Sequence, residues 1–560
     1  MSPKRIVVVG GVAGGASCAA RARRLSEDAT IVMFERGPHV SFANCGLPYH
    51  IGGEIADKNK LLVQTPEKLR ATLALDVRVR TEVTAIDRAA RRVEWRRTDT
   101  GETGTEPYDA LVLAPGAAPL RPPIPGIDRP GHFSLRNIPD MEAILDWIAR
   151  HPVRRAVVVG GGYIGLEMVE QLHRLKIEIA LAEAGPQVMA PLDADMAELL
   201  HVALANHGVE THLGDGVAGF EAPGDGESAL ASVVVLRSGK RLPGDLVILG
   251  LGVRPEVGLA KAAGLELGAT GGIKVDAHMR TSDPAIYAVG DAVEVTHRVT
   301  GRPVLLPLAG PANRQGRVAA DNIFGIESRF PGSMGTAVLR LFEEVVACTG
   351  ANSRQLEQAG MAFRAVHLHP GSHAGYYPGA QPIAMKLLFD PVTRRVLGAQ
   401  AVGRDGVEKR IDVIATAIAG DMTVDDLAEL ELCYAPPFGS AKDPVNMAGM
   451  AAQNVAGGLV KLVHWNEVDA LVADGAVLVD VRDARETAGG VIPGALNIPL
   501  GELRDRLGEL PADRPLVTYC QSGLRSYLAA RLLGQRGWNV HSLSGSWRTW
   551  TQVRRLREKA

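Results

Sequence analysis

The sequence predicts an α/β chain of two doubly wound parallel-sheet units, an α+β unit and a small C-terminal α/β unit. Three observations carry that prediction. RIVVVGGVAGG at 5–15 recurs as RAVVVGGGYIG at 155–165, an internal repeat offset by 150 residues. Each copy is followed by a second apolar run that closes on an acid, TIVMFE at Glu35 and EIALAE at Glu183. Beyond Gly457-Gly458, a stretch of about 100 residues alternates short strand-like runs (VLVDVRD, NIPL, LVTYC) with helical patterns.

Composition narrows the class. Lys+Arg 61 against Asp+Glu 63 gives a net charge of −2 over 560 residues, so nucleic acid and anionic membranes are not expected partners. Hydrophobic residues at 46% fit a soluble globular chain, and Gly 63 points to many tight turns. Disorder, collagen and a membrane channel are excluded, because no apolar run reaches the ~18 residues of a span. The five cysteines, Cys18, Cys45, Cys348, Cys433 and Cys520, form no CxxC or CxxxxC pair. That usage predicts a reducing, cytoplasmic setting and no metal site. Lys4 and Arg5 ahead of an apolar run mimic a signal peptide, but the glycines that follow fit a strand, turn and helix better.

In chain order, each glycine repeat places a buried strand before a tight turn and a helix after it. Missing side chains there let a pyrophosphate approach backbone N–H groups at the helix N-terminus. Glu35 and Glu183 follow 25 and 23 residues after Gly10 and Gly160, the spacing of an acid that accepts from ribose hydroxyls. The two repeats therefore read as Rossmann-like dinucleotide-binding folds. Glu183 repels a 2′-phosphate and so favours NADH over NADPH. A third strand, IYAVGDA at 286–292, ends at Asp291, placed to accept from a ribitol hydroxyl. The expected organisation is an FAD-binding unit at 1–150 with 275–330 and an NADH-binding unit at 151–274. A mixed α+β unit at 331–445, an Ala-, Gly- and Met-rich linker at 446–462 and a C-terminal α/β unit at 463–560 follow.

With YAVGDA and LAPGA added to the glycine turns, the chain over about 1–445 resembles the two-dinucleotide-binding flavoprotein disulfide reductases, which carry FAD in the first fold and NAD(P)H in the second. The resemblance implies that Gly10, Val12, Ala13, Gly14 and Gly15 line the FAD pyrophosphate with Glu35 and Arg36 on the ribose. It adds Val83, Ala114, Gly116 and Arg136, and then Asp291, Pro307, Leu308 and Ala309. For NADH it implies Gly160, Gly162, Tyr163, Ile164, Gly165, Glu183 and Gly252. The 331–445 unit becomes a dimerisation domain, and a homodimer with shared active sites is expected.

Members differ in the sulfur that faces the flavin. Here it is Cys45 in SFANCGLPYHIGG; His50 stands where dithiol members have a second cysteine. A helix-like stretch follows Cys45, so its thiolate is expected to gain from a helix N-terminus. Cys18, Cys348 and Cys433 read as packing residues. NADH oxidases and peroxidases cycle one cysteine through sulfenic acid and place a His beside the first glycine turn, where this chain has Ala13. SFANCGLPYHIGG is similar almost letter for letter to the coenzyme A-disulfide reductases, as are HAGYYPGA at 373–380 and LCYAPPFGSAKDPVN at 432–446. That likeness implies that Tyr376 and Tyr434 enter the partner subunit's active site, with Tyr377 as the adjacent alternative. It implies coenzyme A contacts from Ser17, Arg21, Arg24, Ser41 and Asn44, joined by Asn313 and Lys442 from the other subunit. Leu73 departs from the pattern, since other members have a lysine after TPEK.

Over about 463–556 the chain resembles a rhodanese domain. LVTYCQSGLRS supplies Cys520 and a Cys-to-Arg hexapeptide whose successive N–H groups are expected to point at the thiol. Phosphatase relatives use a loop one residue longer. The combined expectation is NADH- and FAD-dependent reduction of coenzyme A persulfide, polysulfide or coenzyme A disulfide by a single redox cysteine, with a fused sulfane-sulfur carrier. An NADH oxidase or peroxidase is the alternative. A third class, a flavoprotein whose redox state governs a partner and which resembles the apoptosis-inducing flavoproteins, would need neither Cys45 nor Cys520.

Overall fold

The computed structural model describes residues 4–224 and 232–558. The chain divides into two compact units, Met1–Val188 with Gly208–Gly335, and Met189–His207 with Thr336–Ala560.

The first unit holds two five-stranded parallel sheets of matching design. In one, the strands run Ile286–Ala288, Ala110–Leu113, Arg5–Val9, Thr30–Phe34 and Asp76–Arg78 across the sheet. In the other they run Glu210–Leu213, Glu178–Glu183, Arg155–Val159, Leu246–Leu249 and His132–Phe133. The repeated strands sit in the middle of each sheet, Ile6 facing Ile31 on one side and Ala110 on the other. Ile6, Val7, Val8 and Ala156, Val157, Val158 are wholly buried, as expected of parallel strands covered on both faces. The second sheet draws its edge strand, His132–Phe133, from residues that the sequence assigns to the first fold.

The two glycine turns are superimposable in their constraints. Gly10 and Gly160 hold φ of 99° and 106°, and a β-carbon on them would lie 2.0 and 2.1 Å from the carbonyl oxygens of Ala114 and Gly250. Gly15 and Gly165 allow the helices Ala13–Leu25 and Tyr163–Arg174 to close on the preceding strands, since a β-carbon there would meet Gly10 O and Gly160 O.

The second unit contains an antiparallel sheet, ordered Ala337–Leu341, Glu344–Gly350, Val396–Gly403, Ile383–Phe389 and Arg364–Leu368. It also contains a parallel sheet, ordered Lys461–Val463, Val540–Leu543, Leu516–Tyr519, Val477–Asp480 and Leu496–Asn497, around a core of Val463, Leu478, Val517, Tyr519 and Leu543. The expected linker at 446–462 is corrected here. Pro444–Ala456 is one helix, capped by Asp443 through Val445 N at 3.0 Å. Its small residues are spaced for packing, with Val445, Ala448, Ala452 and Val455 buried. Only the turn at Gly457-Gly458 separates it from the parallel sheet, which begins at Lys461.

The parallel-sheet domain is docked on the antiparallel one through buried polar groups. The backbone N–H of His367, on the edge strand, donates to Ser544 Oγ at 3.1 Å, its Nδ1 lies 2.9 Å from the same hydroxyl, and its Nε2 bonds Asp195 at 2.8 Å. Lys386 Nζ lies 2.9 Å from Asp195 and 3.0 Å from Asp193. His369 Nε2 meets Thr549 Oγ1 at 2.9 Å, and Arg555 pairs with Glu198 at 2.5 Å. Asp193, Asp195 and Glu198 all come from the Met189–His207 segment.

Candidate active site

The helix that follows each glycine turn starts without a side-chain cap, leaving first-turn N–H groups for an anionic ligand. Glu35 accepts from Gly11 N (3.0 Å) and Gly37 N (2.8 Å); Glu183 accepts from Gly161 N (2.7 Å) and Gly185 N (2.6 Å). Both carboxylates are thus held by backbone at the lip of the turn, and a β-carbon on Gly162 would meet no atom within 4 Å. These features fit FAD in the first cradle and NADH in the second. Leu308 begins a third uncapped helix, Ala309–Ile323, and Gly290 N donates to Gln315 Oε1 at 2.7 Å beside Asp291. Burial raises the Asp291 carboxyl, and the Arg136 charge opposes that rise. Arg36 and Arg136 both grip Glu256, at 2.6 and 2.5 Å, so the two cations expected at FAD form one bridged cluster.

Cys45 lies in a single 3₁₀ turn, Asn44–Gly46, directly ahead of the five-residue helix Leu47–Ile51. It is a free, surface-accessible thiol. The expectation of a thiolate favoured by a helix N-terminus is corrected: the thiol is pushed up, first by desolvation and then by the charges of Glu167 and Asp291. A helix this short offers too small a dipole to outweigh them. Tyr49, one turn beyond Cys45, reaches Glu167 Oε1 at 3.3 Å. Burial raises the Glu167 carboxyl to about 7, and the Tyr49 hydroxyl opposes the rise. Sequence reasoning missed Glu167 and Tyr49. The available signal was an acid two residues past Gly165, on the helix that the second glycine turn opens. His50 is structural, its Nδ1 2.5 Å from Ile55 O.

Of the residues expected at coenzyme A, Ser17 hydrogen-bonds Asn313 within the same chain, so Asn313 joins Ser17 in cis rather than from the other subunit. Arg21 is paired with the buried Asp321 at 2.6 Å, whereas Arg24 is exposed. Ser41 N donates to Gly11 O at 2.8 Å, with φ of 45° at Ser41. Asn44 and, in the second unit, Lys442 are exposed. Leu73 O is held by the buried Arg23 at 2.8 Å.

In the second unit, Tyr376 and Tyr434 share a hydroxyl–hydroxyl bond of 2.7 Å while Tyr376 stays 75% exposed. Tyr377 instead packs edge-on against His373. Cys520 is buried at the end of the Leu516–Tyr519 strand. Its Sγ accepts from Gly523 N at 3.2 Å, and its own N–H donates to Ser546 Oγ at 3.2 Å. Ser546 Oγ continues to Ser526 Oγ at 3.1 Å, and Ser526 to Ser542 at 3.0 Å. Arg525 closes the loop with two 2.6 Å bonds to Glu486. Cys18, expected as a packing residue, is wholly buried and its thiol is raised to about 12, by burial first and then by Asp321.

Family models match these parts in turn. Residues 4–316 match the pyridine nucleotide-disulphide oxidoreductase model, 340–444 its dimerisation domain and 464–553 the rhodanese-like domain. The chain belongs to the pyridine nucleotide-disulphide oxidoreductase family. Within that family it is 35% identical over 453 residues to a coenzyme A disulfide reductase of Staphylococcus haemolyticus, covering 81% of this chain and all of the relative. This oxidoreductase also superposes on reduced Bacillus anthracis CoADR-RHD with TM-score 0.97 and 49% identity, covering 100% of this chain and 99% of the other. A NAD-dependent persulfide reductase from A. fulgidus gives TM-score 0.91 and 38% identity, over 98% and 100% of the two chains.

Proposed function

We propose that this chain is an NADH- and FAD-dependent reductase of sulfur–sulfur bonds, acting on coenzyme A persulfide, polysulfide or coenzyme A disulfide through Cys45, with Cys520 as a sulfane-sulfur carrier. The observation that carries the reading is Cys45 itself: an accessible, unpaired thiol on the first nucleotide-binding fold, with His50 committed to a backbone carbonyl where a second thiol would stand. The first glycine turn, Glu35 and Asp291 would hold FAD, which when bound would supply the two-electron relay from NADH. The Cys45 thiolate attacks a substrate S–S bond, which breaks as the new S–S bond to Cys45 forms and the displaced thiolate or hydrosulfide leaves. The hydrogen-bonded pair Tyr376 and Tyr434 donates a proton to that leaving sulfur across a homodimer, for which the dimerisation domain and the exposed Tyr376 and Phe438 provide the surface. Ala13 in place of a histidine beside the glycine turn speaks against a peroxidase. Free cysteines fit a reducing, cytoplasmic setting, and among the described residues no helix is long and apolar enough to cross a membrane. The test is Cys45→Ser: FAD stays bound and NADH still bleaches it, while persulfide and disulfide reduction are lost. Retained sulfur reduction would overturn the reading.

A further inference from the structure

One turn of the C-terminal domain grips the Cys520 loop on one side and meets the antiparallel domain on the other. It spans residues 544–549, between the Val540–Leu543 strand and the body of the Ser546–Gln552 helix. Toward the loop, Trp547 N donates to Cys520 O at 3.0 Å and Arg548 N to Gln521 O at 3.1 Å. Ser546 Oγ accepts from Cys520 N at 3.2 Å and lies 3.8 Å from Cys520 Sγ. On its other side, the antiparallel domain holds both ends of the turn. His367 binds Ser544 Oγ through its backbone N–H and its ring, and His369 Nε2 meets Thr549 Oγ1 at 2.9 Å. The two histidines stand two residues apart at the end of the edge strand, the spacing that puts side chains on one face.

Between those anchors the backbone takes an unfavourable form. Gly545 and Ser546 have φ of 69° and 53°, two successive left-handed residues, the second of which is not glycine. A β-carbon on Gly545 would lie 1.9 Å from Thr549 Oγ1 and 3.0 Å from His367 Cβ, so the histidine packs directly on the turn. Such a conformation persists only where its surroundings over-determine it. Ser544 and Thr549 are tied from outside the domain, and Ser546, which carries the strained angle, is the residue that touches Cys520. His367 is itself fixed from behind by Asp195 at 2.8 Å, which Lys386 holds at 2.9 Å.

We propose that His367 is a positioning residue for Cys520: from a different domain, it holds the strained turn that keeps Ser546 against the sulfur. This rests on the reading of Cys520 as a sulfane-sulfur carrier, and makes that carrier fully competent only while docked. In the transfer, the Cys520 thiolate attacks the donor's sulfane sulfur. The donor S–S bond breaks, its electron pair leaves on the departing thiolate or sulfite, and the Cys520 persulfide forms with no net oxidation or reduction. Negative charge sits on the cysteine's sulfur before and after the step. The Gly523 N–H and the Ser546 hydroxyl, whose proton can turn from Leu543 O to Sγ, stabilise that charge only while turn and loop keep their spacing. Docking and sulfur loading are thus coupled, and the coupling acts equally in both directions.

The experiment uses the full-length, FAD-loaded chain. Single-turnover loading of Cys520, read by mass on the peptide that contains it, is measured against the concentration of cysteine persulfide and, separately, of thiosulfate. His367→Ala, and Ser544→Ala, which removes one hydroxyl and little else, should each lower the saturating rate at least about fivefold with whichever donor loads the wild type. The half-saturating concentration should stay nearly unchanged, because the turn acts on the sulfur and not on donor binding. A reciprocal readout needs no substitution: sulfur-loaded wild type should be cut at Gly457-Gly458 several-fold more slowly than unloaded protein. In Ser544→Ala that difference should vanish. Saturating rates unmoved by both substitutions, or cleavage indifferent to loading, would overturn the inference and leave the carrier reading standing. Loading of wild-type Cys520 by neither donor would overturn both.

Discussion

Glu167 is the residue with the largest consequence that motif reading did not reach. Its neighbours Gly160 to Gly165 announce themselves by spacing, but an acid inside a helix reads as solvated until tertiary packing buries it beside Tyr49. Its carboxylate and that of Asp291 both oppose the Cys45 thiolate, so removing one charge lowers the thiol's pKa. Glu167→Gln is expected to move the pH midpoint of Cys45 alkylation downward. An unchanged midpoint would show that Glu167 does not act on the sulfur. At the other cradle, Glu183 was legible from sequence alone, and its backbone bonds hold its carboxylate at the lip of the glycine turn. A repulsion of about 2 kcal/mol against a 2′-phosphate corresponds to roughly thirty-fold in kcat/KM for NADH over NADPH. Steady-state comparison of the two nucleotides checks it, and a preference for NADPH would contradict the assignment.

At the scale of elements, the strands, glycine turns and rhodanese loop were legible because each rests on local chemistry. The docking surface was not, since Asp193, Asp195, His367, Lys386 and Ser544 are far apart in sequence and carry no local pattern. The Pro444–Ala456 helix was misread for a different reason: its packing face is made of small residues, which mimic linker composition. Docking has a pH signature. Burial holds His369 and His464 neutral, each lowered to about 3, with Arg548 and His367 adding to the first and His367 and Lys386 to the second. Once undocked, these rings would protonate near 6.5, so the docked state loses stability as pH falls below that value, by about 1.4 kcal/mol per unit for each ring. Asp195 is opposed by burial but held well below the usual carboxylate range by Lys386 and His367. Its contribution is lost only at still lower pH, below the ordinary Asp value. Limited proteolysis at Gly457-Gly458 is expected to accelerate between pH 6.5 and 5, and greater protection at pH 5 would contradict the account. Asp195→Asn should accelerate it at neutral pH, because Lys386 then keeps a buried charge with a weaker partner, a loss of roughly 3 kcal/mol.

At the scale of the whole molecule, one chain combines two nucleotide cradles, an accessible thiol, a tyrosine pair and a second sulfur site in a docked domain. The order of these parts along the sequence was legible, whereas the commitments of their charges were not: Arg21 is countered by Asp321, and Arg525 by Glu486. The tyrosine pair predicts that Tyr376→Phe slows turnover of substrates with poor leaving thiolates about tenfold or more, while good leaving groups are affected less. Equal slowing of all substrates would place its role in packing. The central claim is that electrons from NADH leave this protein on sulfur. It is tested most directly by anaerobic NADH oxidation with coenzyme A persulfide, coenzyme A disulfide and hydrogen peroxide in parallel, with wild type and Cys45→Ser side by side. The account predicts a kcat/KM for at least one sulfur substrate about a hundredfold above peroxide, abolished by the substitution. Peroxide as the best substrate, or sulfur reduction that survives without Cys45, would contradict it.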